Sequence, residues 1–163
     1  CGLLLPCVET TDQIDQVQMA AQMPPRGKRR PGGMGNYWLG NYQYETWKSE
    51  FEAHFIVIPQ IESQARVNNA ASLAAHPFVT ALGLGHTTFP PIWLLLEPEN
   101  EKYLSALERV KAAADGADKK VWTGTDAPAL RAKGFTFLWI GTTTSVLTGA
   151  IKQIGRASCR ERV

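Results

Sequence analysis

The chain has 163 residues, 44% of them hydrophobic and 20% charged. Such a composition folds as one globular domain of ordinary size and excludes wholesale disorder. The formal charge of +2 resides in Gly155 to Val163, and the remainder is electrically balanced, so charge makes no case for a nucleic-acid or membrane partner.

No run of about 18 apolar residues is present, so no membrane span is expected. The apolar opening Gly2 to Pro6 has no basic residue before it and is too short for a signal peptide. Three cysteines without a CxxC pair build no disulfide framework, and a reducing cytoplasm is the expected compartment.

In chain order, Gly2 to Val8 reads as a buried strand. Thr10, Thr11 and Asp12 are N-cap candidates for a helix carrying Ile14, Val17 and Ala21, which Pro24-Pro25 stops. Residues 24–36 form a Gly/Pro-rich loop, and residues 42–53 a helix with Trp47 and Phe51 on one stripe. Phe55 to Ile61 is the second strand. Ser63 caps a helix to Ala75 whose buried face is Val67, Ala70, Ala71 and Ala74. Val79 to Gly85 is the third strand, Tyr103 to Ala114 a helix, and Lys120 to Gly124 the fourth strand. Asp126 and Pro128 open a short helix ending near Gly134. Phe135 to Gly141 is the fifth strand, and Ser145 to Gln153 the last helix. Strands alternating with helices at short spacing make βα units around a parallel sheet. Five strands do not close an eight-stranded barrel, so the pattern fits a small open α/β sheet or the later part of a barrel.

Sites of α/β folds gather at the carboxyl ends of the strands. There the sequence places Cys7, Val8 and Glu9, then Gln60, Ile61 and Glu62, then Gly83 to Gly85, then Gly141 and Thr142. Strand alternation puts Gln60 and Glu62 on one face, an amide beside a carboxylate, which suits a hard cation with an oxygen-rich substrate. The plain alternative for Glu62 is an exposed strand-end carboxylate beside a helix N-terminus. Gly83-Leu84-Gly85 lacks the third glycine of a dinucleotide fingerprint. Arg26, Lys28, Arg29 and Arg30 read as a solvated loop. His54, His76 and His86 show no metal-ligand spacing, no Gly-x-Ser-x-Gly elbow is present, and Trp38 and Trp47 read as packing residues.

Three runs taken together are informative. Leu3-Leu4-Leu5-Pro6-Cys7-Val8-Glu9-Thr10, Pro24-Pro25-Arg26-Gly27-Lys28-Arg29 and Ile58-Pro59-Gln60-Ile61-Glu62-Ser63, followed by Lys133-Gly134-Phe135 and Trp139-Ile140-Gly141-Thr142, resemble the HpcH/HpaI aldolase (citrate lyase-like) family. The resemblance covers nearly all of residues 2–153. It implies a partial (β/α)8 barrel, strands 4 to 8 with their helices, the first three βα units missing. It also implies a class II aldolase that cleaves 4-hydroxy-2-oxo or 2-keto-3-deoxy acids to pyruvate and an aldehyde through a metal-stabilised enolate. The implied cofactor is Mg2+, Mn2+ or Co2+, and the implied assembly is a hexamer-like homo-oligomer. By position, Glu62 matches the metal-binding glutamate, Gln60 a substrate-contacting glutamine and Gly85 the glycine opening the next loop. The family's catalytic histidine and substrate-binding arginine would lie before Cys1. An acyl-CoA lyase of the same superfamily, cleaving malyl-CoA or citramalyl-CoA, is the neighbouring alternative; the Pro24-Pro25-x-Gly27-x-Arg29 segment is closer to the free-acid aldolases.

The sequence departs from this family in one loop. The pattern Gly-Pro-x-Asp-Leu-Ser is replaced by Gly85-His86-Thr87-Thr88-Phe89-Pro90-Pro91-Ile92-Trp93, so Thr88 stands where the second metal-binding aspartate is expected. A hydroxyl does not replace an anionic ligand of a hard divalent cation. Codons for Pro-Tyr-Asp-Leu-Ser-Ala-Asp-Leu, read one base out of frame, yield His-Thr-Thr-Phe-Pro-Pro-Ile-Trp. A local frameshift corrected near Leu94 to Leu96 therefore explains the loop, and genuine divergence into a non-catalytic pseudoenzyme is the alternative. The segment Ile154 to Val163 resembles the translation of a common sequencing adapter and is expected to be non-native, with a natural basic, solvated tail as the alternative, leaving residues 1–153 as the aldolase part. Cys1 stands in place of an initiator methionine, and Leu3-Leu4-Leu5 places the start of the chain inside a fold. The chain as written is expected to be inactive.

Overall fold

A computed structural model describes residues 1–30, 43–84, 101–124 and 127–160. Five strands, β1 (Gly2–Leu5), β2 (Ile56–Ile61), β3 (Ala81–Leu84), β4 (Lys120–Gly124) and β5 (Phe137–Trp139), alternate with helices α1 (Thr11–Ala21), α2 (Tyr44–Ala53), α3 (Gln64–Ala75), α4 (Glu101–Gly116), α5 (Ala127–Ala132) and α6 (Thr143–Arg160). The strands form one sheet in the order β1-β2-β3-β4-β5. Every neighbouring pair is parallel. Right-handed crossovers between strands laid down in sequence order keep the helices on one face. A doubly wound sheet would reverse direction and put helices on both. The sheet is therefore an arc of a (β/α) barrel.

The sheet face toward the helices carries the core. Ile61, Leu82, Leu84 and Val121 pack against Val67, Ala70, Leu73 and Ala74 of α3 and Leu107, Val110 and Ala114 of α4. Of the expected apolar face of α3, Ala71 turns out exposed and Leu73 takes its place in the core. The opposite, inner face alternates with the core face. It carries Leu4 and Ile58, which are paired in register, then Gln60 beside Gly83, and Gly83 beside Trp122. A β-carbon at Gly83 would meet Ile58 Cγ2 at 2.9 Å and Trp122 Cε3 at 3.3 Å, so glycine there lets two large inner-face side chains approach over the strand. Leu4, Ile56 and Phe137 remain exposed, as apolar inner-face residues of an unclosed arc do.

Several boundaries differ from the sequence pattern for identifiable reasons. β1 ends at Leu5, not Val8, because Pro6 carries no N–H and Cys7 takes a φ of 61°, which turns the chain off the sheet. β3 begins at Ala81 because Val79 N–H still donates to His76 C=O in the preceding turn, while Thr80 N–H already reaches Val57 of β2. β5 begins at Phe137 because Phe135 N–H still caps α5 through Leu130 C=O. The pattern ends the last helix at Gln153, yet α6 continues to Arg160 through residues set apart as a tail. Its Arg- and Ala-containing run has adequate helix propensity without any apolar period. From Thr143 to Gln153 every residue of α6 is exposed.

The caps follow the sequence closely. Gln13 Oε1 accepts from Glu9 N–H at 2.7 Å and Thr10 N–H at 3.1 Å, anchoring the start of α1. Ser63 Oγ accepts from Arg66 N–H at 3.3 Å as the N-cap of α3. His76 caps the other end of α3 and pairs with Asp15 at 3.0 Å through its Nε2. His54, just ahead of the second strand, is the C-cap of α2. The basic loop is more anchored than a solvated run would be: Arg26 pairs with Glu52, and the Arg29 guanidinium lies 4.7 Å over the Phe51 ring. Trp47 packs as expected, stacked 5.3 Å from Phe51; Trp38 lies outside the described residues.

Tyr103 gives the fold a pH limit. Burial among α4 and β4 pushes its phenol above the ordinary value of 10.0, partly offset by the neighbouring Thr123 side chain. In the unfolded chain the phenol ionises near that ordinary value, while in the folded chain it stays protonated. Its contribution is therefore complete below pH 10.0 and falls as pH rises above it. The expected result is a urea midpoint that declines above about pH 10, with Tyr103→Phe flattening the decline. An identical alkaline slope in both proteins would remove Tyr103 from this role.

Candidate functional site

The carboxyl ends of β1 and β2 meet at a small polar cluster. Gln60, 7% exposed, is the last inner-face residue of β2 and sits beside Gly83. β2 ends at Ile61, which faces the core. Strand alternation therefore places Gln60 but does not reach Glu62, which lies in the link between β2 and α3. What holds Glu62 is the helix that follows. Arg66, one turn into α3, directs Nη1 to Glu62 Oε2 at 3.2 Å, with Glu62 14% exposed and Arg66 9% exposed at the side chain.

The same guanidinium reaches the other strand end. Its Nε stands 3.6 Å from Glu9 Oε1. Glu9 is fixed independently: Ser63 Oγ donates to its Oε1 at 3.1 Å, and Asn69 Nδ2 donates to its backbone carbonyl at 2.9 Å. Glu9, Glu62, Ser63 and Arg66 thus form one network that ties the β1–α1 loop to the start of α3. The residue reading had placed Glu9 at a strand end without a role, and it missed Arg66. The available signal was the i, i+4 spacing of Glu62 and Arg66 at a helix start.

The donor chemistry suits one side of a hard-cation site. A carboxylate shielded from most solvent and a buried amide at the same strand end are oxygen donors of the right kind. Among the described residues no group of three His, Cys, Asp or Glu side chains gathers around a point that could hold a metal. Gly85 and Thr88, which the sequence reading assigns to the loop after β3, lie outside the described residues. Also among the described residues, no helix is long and apolar enough to cross a membrane.

Known proteins resemble this chain in sequence and in fold. Hydroxypyruvate/pyruvate aldolase of Chromohalobacter salexigens is 29% identical over 153 residues, which are 91% of this chain and 60% of the relative. 4-hydroxy-2-oxovalerate aldolase of Novosphingobium aromaticivorans is 36% identical over 84 residues, 51% of this chain and 31% of that one. The chain therefore spans well under two thirds of the length of these curated relatives. The solved structure of an HpcH/HpaI aldolase from Desulfitobacterium hafniense superposes with a TM-score of 0.79 at 23% identity, covering 96% of this chain and 63% of that one. The arc is thus matched to roughly the same share of a complete aldolase fold. The model of one family extends over residues 1–150, from β1 well into α6, and takes in every strand of the sheet and the Gln60–Glu62 strand end; on that match the chain belongs to the HpcH/HpaI aldolase/citrate lyase family.

Proposed function

We propose that this chain is the later, five-stranded part of a metal-assisted carbon–carbon lyase. The reaction is retro-aldol cleavage of a 4-hydroxy-2-oxo or 2-keto-3-deoxy acid into pyruvate and an aldehyde. The observation that carries the reading is the pair at the end of β2: Gln60 on the inner face, and Glu62 one residue past the strand, its carboxylate held by Arg66. Both curated relatives bear aldolase names, which supports the reaction class.

In this reading Glu62 holds the divalent cation, Mg2+, Mn2+ or Co2+, and Gln60 offers its amide to the substrate's polar groups. The cation supplies Lewis-acid polarisation of the oxo-acid's keto oxygen. The C3–C4 bond breaks as the C4 hydroxyl gives up its O–H proton and C4 becomes the aldehyde carbon, and C3 gains a proton to complete the pyruvate methyl group. By position Gly85 opens the loop in which the second ligand is expected, and with Thr88 at that position the 163-residue chain is expected to be inactive. Fold likeness alone does not select the substrate, because a citrate synthase structure also superposes, with a TM-score of 0.75 at 14% identity.

The test is a panel assay. A full-length version with aspartate restored at position 88 is expected to release pyruvate from 4-hydroxy-2-oxo acids, to stop in EDTA and to resume with added Mn2+. Cleavage confined to malyl-CoA or citramalyl-CoA would move the assignment to the acyl-CoA lyases of the superfamily. No metal-dependent cleavage of any member would contradict the aldolase reading.

A further inference from the structure

Arg66 is an unusual residue to bury. Its side chain is 9% exposed, and its Nε is a buried donor with no hydrogen-bond partner among the described residues. Leaving a buried donor unsatisfied is costly, and more so when it is charged. A tie between α3 and β1 does not require that cost, since Ser63 and Asn69 already bond Glu9 from the same helix start. What Arg66 adds is a grip on Glu62. Nη1 meets Oε2, one of the two carboxylate oxygens, and the guanidinium is flanked on its other side by Glu9.

The electrostatics of this arrangement are specific. A guanidinium beside a cation ligand orients the carboxylate but also repels the cation. A second carboxylate on the far side of the guanidinium offsets that repulsion. Glu9, Arg66 and Glu62 together carry one net negative charge, so the cluster still attracts a cation while Glu62 loses its rotational freedom. Residues behind a ligand that fix its orientation typically change metal affinity by about 10- to 100-fold when removed.

We infer that Arg66 is a positioning residue for the cation site: held by Glu9, it clamps Glu62 through Oε2, so that the other carboxylate oxygen would be the one to ligate a cation. The inference rests on the reading of Glu62 as a metal ligand.

The experiment is direct Mn2+ titration of the full-length protein with aspartate at position 88, taken as the wild type for comparison, followed by loss of the free Mn2+ electron paramagnetic resonance signal. The proteins compared are the wild type, Glu62→Gln, Arg66→Ala and Arg66→Lys, each with a circular dichroism spectrum. The expected order of affinity is wild type, then Arg66→Lys, then Arg66→Ala about tenfold weaker, with Glu62→Gln losing the site. Arg66→Lys keeps the charge but cannot fork between two carboxylates, so it decides the matter should Arg66→Ala fail to fold. Folded Arg66 variants that bind Mn2+ as the wild type does, or more tightly, overturn the positioning role while leaving Glu62 as ligand. Binding unchanged in Glu62→Gln, or absent from the wild type, overturns the ligand reading itself and the inference with it.

Discussion

Glu62→Gln in a full-length chain with aspartate at position 88 is expected to lower metal-dependent kcat/KM by about 10³-fold. The estimate follows from the several kcal/mol of charge stabilisation that a Lewis-acid metal supplies, at about 1.4 kcal/mol per tenfold in rate. Glutamine preserves the size of the side chain and one oxygen acceptor but removes the anion, and Arg66 then loses its partner at 3.2 Å. The loss in rate should be accompanied by loss of Mn2+ binding and should not be recovered by millimolar Mn2+. A variant that retains activity and metal affinity would show that Glu62 serves only as the ion-pair partner of Arg66 and holds no cation.

Leu82→Ala is expected to cost about 3 kcal/mol of stability. Leu82 lies in the middle of the central strand β3 with no exposed surface, and it packs in the cluster shared by α3 and α4. Buried leucine-to-alanine changes cost about 2–5 kcal/mol, because the cavity adds to the lost transfer energy. Against a typical total of about 5–15 kcal/mol, a loss of this size moves the urea midpoint visibly. Leu147→Ala provides the contrast: Leu147 is 57% exposed on α6, and its replacement should change stability by less than about 0.5 kcal/mol. Equal effects of the two substitutions in urea melts would contradict the burial difference between sheet and terminal helix.

Much of the fold was legible because local chemistry and tertiary packing agree. Ser63 at the head of α3 announces a cap and supplies one. Val67, Ala70 and Ala74 repeat at helical spacing and enter the core. Where a strand boundary was misjudged, a backbone feature prevailed over an apolar run. Pro6 and the positive φ of Cys7 end β1 although Val8 is buried, because Val8 packs from the loop and not from the sheet. The arc itself depends on strand order, which a sequence of alternating elements does not specify; the pattern left an open sheet and part of a barrel both possible, and the family resemblance selected the barrel.

The candidate site was legible in part for a similar reason. Gln60 follows from strand alternation, since it lies within β2. Glu62 does not, since the strand has ended, and its placement comes from a side chain four residues on. The partnership of Glu9 with Arg66 joins two strand ends far apart in the chain, and no local pattern encodes it. Likewise the basic loop looked solvated because Glu52 and Phe51, which anchor Arg26 and Arg29, belong to a helix beyond the loop.

The most direct test of the central claim is to determine the gene sequence from upstream of the Cys1 codon through the codons for Gly85 to Glu97, and to assay the protein so encoded for EDTA-sensitive pyruvate release. The account predicts aspartate at the position of Thr88, three βα units upstream, and pyruvate formation from a 4-hydroxy-2-oxo acid that stops in EDTA. Threonine at that position in a full-length reading frame, with no metal-dependent release, would contradict it.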